Sequence, residues 1–182
     1  MRDLPDPGFA GDDGASPPAL TAALTGYEAD PAGGHAEALA VLQHQRLLVP
    51  VVAVLGTTAG QDSQNSQDGQ DREGGQVGQR DDDGEKTSDM ATVLTRGRDG
   101  RTALLAFTGS EAMRRWDPAA RPVPVPAGTA AAAAVQDGAT AMVVDVAGPV
   151  MFVVETEDLH ELAQGSVLVR VSGRYGWVRP DR

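Results

Sequence analysis

KTSDMATVLTRGRDGRTALLAFTGSEAMRRWDPAARPVPVP, residues Lys86–Pro126, is the stretch where turn, cap and hydrophobic signals agree. Ala91–Arg96 and Thr102–Phe107 are rich in Val, Leu and Thr, and they flank Asp99-Gly100, a pair that accepts the positive φ of a tight hairpin turn. Thr108 stands three residues before Glu111, the spacing of a capping box, so a helix is expected to open there and to end before Asp117-Pro118. Arg121–Pro126, with proline at every second position, must be extended. Strand, turn, strand, helix and extended segment in this order point to a folded α and β domain. No catalytic signature lies in the stretch.

Beyond this stretch the organisation is uneven. Thr129 is expected to cap an alanine-rich helix that stops at Gly138. Ala141–Val146 and Val150–Glu155 read as a strand pair turning at Gly148-Pro149, and Thr156 opens a further helix that stops at Gly165. Val167–Val171 and Tyr175–Val178 suggest a closing hairpin over Ser172-Gly173. Upstream, Pro18–Thr25 and Gly34–Arg46 are helical, the second with an apolar stripe through Leu39 and Leu42. Leu47–Leu55 is a continuous apolar run that predicts a strand buried on both faces, with Pro50 at a bulge or an edge. Strands and helices interleave without a clean βαβ rhythm, so the expected fold class is α+β: one domain, a mixed sheet with helices packed on it.

Domain organisation follows from composition. Residues 1–32 form an acidic, partly ordered arm of net charge −5, in which Phe9 is the one aromatic before Tyr27. Residues 33–180 form the α+β domain, with a disordered insert at 57–87. Within it, residues 61–86 hold six Gln, five Gly, eleven charges and a single apolar residue, Val77. So little apolar surface cannot offset the entropy of ordering. An insert of this kind costs about 2 kcal/mol of loop closure, because the penalty grows only with the logarithm of length.

The net charge of −11 is therefore a property of the arm and the insert. It disfavours nucleic acid, since an acidic segment competes with phosphate for any basic patch. The chain has no cysteine, which removes disulfides, thiolate metal sites and a Cys nucleophile together. MRDLPDPGFAGDD has no basic and apolar signal pattern, and no apolar run reaches the length of a membrane span. A cytoplasmic protein with no membrane contact is the expectation.

Candidate chemistry is sparse. His35 and His44 fall about 180° apart on an ideal helix, which rules out a shared metal between them, and His160 is remote in sequence. No phosphate-loop signature and no G-x-S-x-G is present. Thr108, Gly109 and Ser110 make a strand-to-helix turn able to attract an anion. Arg98 and Arg101 flank the Asp99-Gly100 turn and, with Arg96, place three guanidinium groups on one tip, a small basic spot that is the second candidate for a ligand. Trp116 is a packing or interaction residue. Asp145 interrupts an apolar strand, either as a strand-end residue bonding the N–H groups of the Gly148-Pro149 turn or as a buried functional carboxylate.

The series LLVPVVAVLG, KTSDMATVLTRGRDGRTALLAFTG, WDPAARPVPVP and VVDVAGPVMFVV resembles the SseB family in its N-terminal domain, over most of residues 33–165. PDPGFAGDDG near the start is similar to members of the same family. The resemblance implies a fold and brings no catalytic residues, cofactor or ligand with it. The expected function is a non-catalytic intracellular binding or interaction module without a cofactor, with Trp116 and Asp145 on the interaction surface and an unknown protein or a small anion as partner. Two alternatives stand beside it: a small-molecule or anion sensor at residues 108–110, and a hydrolase with an acid pair that includes Asp145.

Overall fold

The computed structural model describes Phe9 and residues 11–54, 89–97 and 99–180. The expected insert at 57–87 and Arg98 lie outside the described residues. The chain divides into a large unit, Met1–Val52 with Ala91–Arg182, and a small one, Ala53–Met90. The large unit holds the hydrophobic core.

Two helices come first, α1 (Pro18–Ala29) and α2 (Pro31–Leu42). Proline at the first position of each lacks an N–H that the helix could not use there, and Asp30 caps α2 by accepting from Gly33 N–H. Leu20 and Leu24 of α1 and Ala38, Leu39 and Leu42 of α2 recur at helical spacing and are buried in the main core. Strand β1 (Arg46–Val54) is next, followed by β2 (Asp89–Thr92), β3 (Leu94–Arg96) and β4 (Thr102–Ala106). Helix α3 (Ser110–Trp116), β5 (Arg121–Pro126), α4 (Ala127–Gln136), β6 (Ala141–Val144), β7 (Phe152–Val154) and α5 (Thr156–Ala163) come after that. The hairpin β8 (Val167–Val171) and β9 (Arg174–Val178) closes the series. The α+β class is as the sequence indicates.

The sheets run β2-β1-β5, β3-β4-β6-β7 and β8-β9. β4 and β6 are parallel, with Ala106 opposite Val144, and the other described pairings are antiparallel. Leu48 and Phe107 exchange both backbone bonds, at 2.8 and 2.9 Å, which ties β1 to the end of β4. Successive residues of β1 enter different cores: Leu47 and Val49 face the main one, Leu48 the smaller one with Leu105, Phe107 and Met113. That is the strand buried on both faces.

Pro50 is neither at an edge nor at a described bulge, because β1 is the middle strand of its sheet. Its nitrogen lies on the same side of the strand as the Leu48 N–H that meets Phe107. A proline there cannot extend that bridge, and the Leu105 N–H turns instead to Val93 O at 3.2 Å. On β5 the alternation works the other way. Ala127 N–H donates to Gln45 O at 3.0 Å, so the odd-numbered residues face β1 and Pro122, Pro124 and Pro126 present the outer side. A strand edge without N–H groups resists pairing with another chain.

Two turns differ in instructive ways. The β8–β9 turn has both Ser172 (φ 50°) and Gly173 (φ 80°) in the left-handed region, as a two-residue hairpin requires. In the β3–β4 turn, Gly97 N–H donates to Arg101 O at 2.8 Å, so the loop spans three residues, and of Asp99 and Gly100 only the glycine has positive φ. The alanines of α4 that are buried, Ala127, Ala130, Ala131 and Ala134, follow helical spacing and allow close approach of α5. Thr129 makes no cap; the residue ahead of α4 is Pro126, whose fixed φ leads β5 directly into the helix.

Candidate functional site

The parallel pair β4 and β6 places two chain reversals side by side at their carboxyl ends, a position where open sheets with parallel strands commonly form ligand crevices. After β4 the chain passes through Phe107, Thr108 and Gly109 into α3. After β6 it turns at Asp145. The Asp145 N–H continues the ladder by donating to Ala106 O at 3.0 Å, and then the backbone swings to φ 56°. Asp is among the few L-residues that enter this region with modest strain.

Asp145 is 2% exposed and is the one buried charged residue among the described residues. Its Oδ1 accepts the Thr108 N–H at 2.8 Å and its Oδ2 accepts the Thr108 hydroxyl at 2.6 Å. Ser16 Oγ lies 2.8 Å from Thr108 Oγ1. A hydroxyl has one proton. Since that of Thr108 goes to Asp145, Ser16 is the donor in the second bond, and the protons run from Ser16 through Thr108 to the carboxylate. Burial raises the Asp145 carboxyl above its ordinary 3.8, and the two bonds from Thr108 oppose the rise.

These contacts correct three expectations. The capping box at Thr108–Glu111 does not form: the residue ahead of α3 is Gly109, Thr108 is committed to Asp145, and Glu111 pairs with Arg115 one turn on. Asp145 does not bond the N–H groups of its own turn; the Gly148 N–H goes to the Asp145 carbonyl at 2.8 Å. Nor is Asp145 on an interaction surface, being buried, while Trp116 is half-buried against Phe107 with ring centroids 5.6 Å apart.

The chain ahead of α1 forms one wall of the site. Arg46, at the start of β1, donates from Nε to Asp12 Oδ2 at 2.5 Å and from Nη2 to Asp12 Oδ1 at 2.9 Å and Ala15 O at 2.6 Å. Its Nη1 donates to Thr108 O. The Arg46 side chain is 10% exposed, and its bond to Asp12 holds that carboxyl below its usual value. Ser110 N–H donates to Gly14 O at 2.8 Å. Gly109 is extended, so any residue could adopt its backbone, but a Cβ there would stand 2.6 Å from Ser16 Oγ and 2.8 Å from Ser16 N. Gly109→Ala should therefore lift the segment off α3 and lower stability by about 1 kcal/mol. Faster amide exchange at Ser110 is the readout; unchanged protection there would show that the segment yields without leaving.

Between this wall, α1 and α3 lies a cavity of about 320 Å³. Ser16, Thr108 and Asp145 line its inner end. Leu24, Thr25 and Glu28 of α1 form one side, and Glu111, Ala112 and Arg115 of α3 the other, with Pro149 and Val150 beyond. Gly109 and Ser110 open instead on a cleft beside Asp13 and Arg114. Arg101 does not join Thr108. It stands at the opposite end of β4, seven residues away and so about 20 Å along an extended chain, where it pairs with Asp99 at 2.6 Å and Glu155 at 2.7 Å.

A second polar cluster was not visible in the sequence. His35 Nε2 lies 3.2 Å from Asp158 Oδ2, and Trp177 Nε1 donates to Asp158 Oδ1 at 3.0 Å. The contact between His35 and Asp158 spans 123 residues of chain, and no local spacing announces it. No group of three or more His, Cys, Asp or Glu residues suited to a metal occurs among the described residues. No helix among them is long and apolar enough to cross a membrane.

The family model for the SseB protein N-terminal domain matches residues 20–161, which run from within α1 to within α5 and include Thr108 and Asp145. The chain belongs to the SseB family. No curated protein and no solved structure matches it.

Proposed function

We propose that this SseB-family chain is a non-catalytic binding module of the cytoplasm, and that it takes a small molecule in the cavity at the carboxyl ends of β4 and β6. The observation that carries the reading is Asp145, a buried carboxylate in a left-handed backbone conformation at the inner end of that cavity. Backbone strain and buried charge both cost stability, and they concentrate where a site is built.

A binding role fits the lining better than a hydrolytic one. His and Lys are absent from it, the Thr108 proton is held by Asp145, and both Asp145 oxygens accept from Thr108. An acid pair would have to come from Glu28 or Glu111, of which Glu111 is bound to Arg115. An anion finds little at residues 108–110, since the Thr108 and Ser110 N–H groups already have acceptors. A protein partner is the weaker binding reading because Asp145 is enclosed and Trp116 packs on Phe107.

A fragment screen by methyl and amide NMR tests the proposal. Hits should move the signals of Leu24, Ala112 and Val150 together. Thr25→Trp, at an exposed position of the α1 wall, should abolish them by filling the cavity while leaving the fold intact. Hits that bind the Thr25→Trp protein equally well would place the site elsewhere and overturn the reading.

A further inference from the structure

We infer that the group recognised in this cavity is a protonated amine carried on a short apolar body; the inference rests on the binding reading above. The first reason is an imbalance of donors and acceptors. A carboxylate offers about four acceptor positions, and Thr108 supplies two donors to Asp145. The Ser16 hydroxyl proton points inward to Thr108, which leaves Ser16 Oγ as an acceptor toward the cavity. Glu28 and Glu111 add further acceptors.

The second reason is charge. Asp145 makes no ion pair among the described residues. The one cation in the lining, Arg115, is paired with Glu111. The guanidinium behind the site, Arg46, is held by Asp12, Ala15 O and Thr108 O. Three carboxylates thus face one arginine, and the innermost has no counter-charge. An ammonium supplies both missing features, three N–H donors and a positive charge. Leu24, Ala112, Pro149 and Val150 set the rest of the ligand as apolar, and the volume of about 320 Å³ is near the lower end for ligand sites. A small alkylamine or arylalkylamine matches this lining; a carboxylate or phosphate meets like charge.

Three probes with the same branched five-carbon skeleton separate head chemistry from burial: isopentylamine, isopentanol and isovalerate. Titrated into the full chain near neutral pH, isopentylamine should shift Leu24, Ala112, Val150 and the Thr108 amide. It should bind at least about tenfold more tightly than the other two. Asp145→Asn should weaken the amine by about tenfold while leaving isopentanol unchanged. Ser16→Ala, which removes the acceptor toward the cavity together with the bond to Thr108, serves as the second variant and should weaken the amine alone, by a smaller factor. Isopentanol or isovalerate binding as well as the amine on the same residues would overturn the inference and leave the cavity reading standing. Shifts confined to other residues, or none with any probe, would overturn it too; the fragment screen with Thr25→Trp then decides separately whether the cavity binds anything.

Discussion

Phe152→Ala should lower folding stability by about 3–5 kcal/mol, the range for deleting a large aromatic from a core. Phe152 is fully buried in β7 and packs against side chains of both α1 and α2. Tyr27 of α1 meets it edge-on with centroids 5.0 Å apart, and His35 of α2 stacks on it at 5.0 Å. His35 then reaches Asp158 of α5, and Asp158 reaches Trp177 of β9. Alanine would leave a void beneath α1 and α2 and remove the surface on which His35 is oriented. Urea unfolding with an unchanged slope should report the loss. Because α1 also carries Leu24, Thr25 and Glu28, ligand binding in the cavity should weaken in the same variant. Phe152→Leu, which keeps most of the volume, should cost less. A loss below about 1 kcal/mol for alanine would mean that the ring cluster yields without consequence.

Much of the fold was legible because its signals are local. Ser172-Gly173 specifies a two-residue hairpin by itself, and the alternation of prolines in Arg121–Pro126 specifies an extended strand. The helices α4 and α5 end just before Gly138 and Gly165, as their sequences indicate. The site was less legible, since each of its bonds joins distant segments. Thr108 and Glu111 have the spacing of a capping box, yet the hydroxyl donates a charge-assisted bond to Asp145, 37 residues on. Donation to that carboxylate orients the hydroxyl toward Asp145 rather than toward the helix N–H groups it would accept from as a cap, and spacing carries no trace of it. Asp145 itself left a signal, an acid within an apolar strand. Arg46 and Asp12 left none, because a salt bridge 34 residues apart in sequence depends on where the arm docks.

Thr108→Val is the sharper test of the buried network. Valine keeps the shape and the backbone N–H but removes the hydroxyl that Asp145 Oδ2 accepts and Ser16 donates to. Hydrogen bonds to charged groups contribute about 1.5–3 kcal/mol, so a loss of about 2 kcal/mol is expected near neutral pH. The loss should depend on pH in a definite direction. Burial has already raised the Asp145 carboxyl above 3.8, and the Thr108 bonds restrain that rise, so their removal raises it further. Below 3.8 both folded and unfolded chains hold the proton, and the group contributes no difference. As pH climbs, the unfolded chain releases its proton first, the folded chain binds more protons, and stability falls until the folded carboxyl has also ionised. In the parent that fall ends once its own folded carboxyl has ionised, whereas in Thr108→Val it continues to higher pH, so the gap between the two should widen only above the parent's folded value, which itself lies above 3.8. Adding Asp145→Asn removes the titrating group and should flatten the profile, with recovery of part of the lost stability at neutral pH. A gap that stays constant across this range would show that Thr108 matters for packing alone, and that the carboxylate behind it does not depend on its hydroxyl.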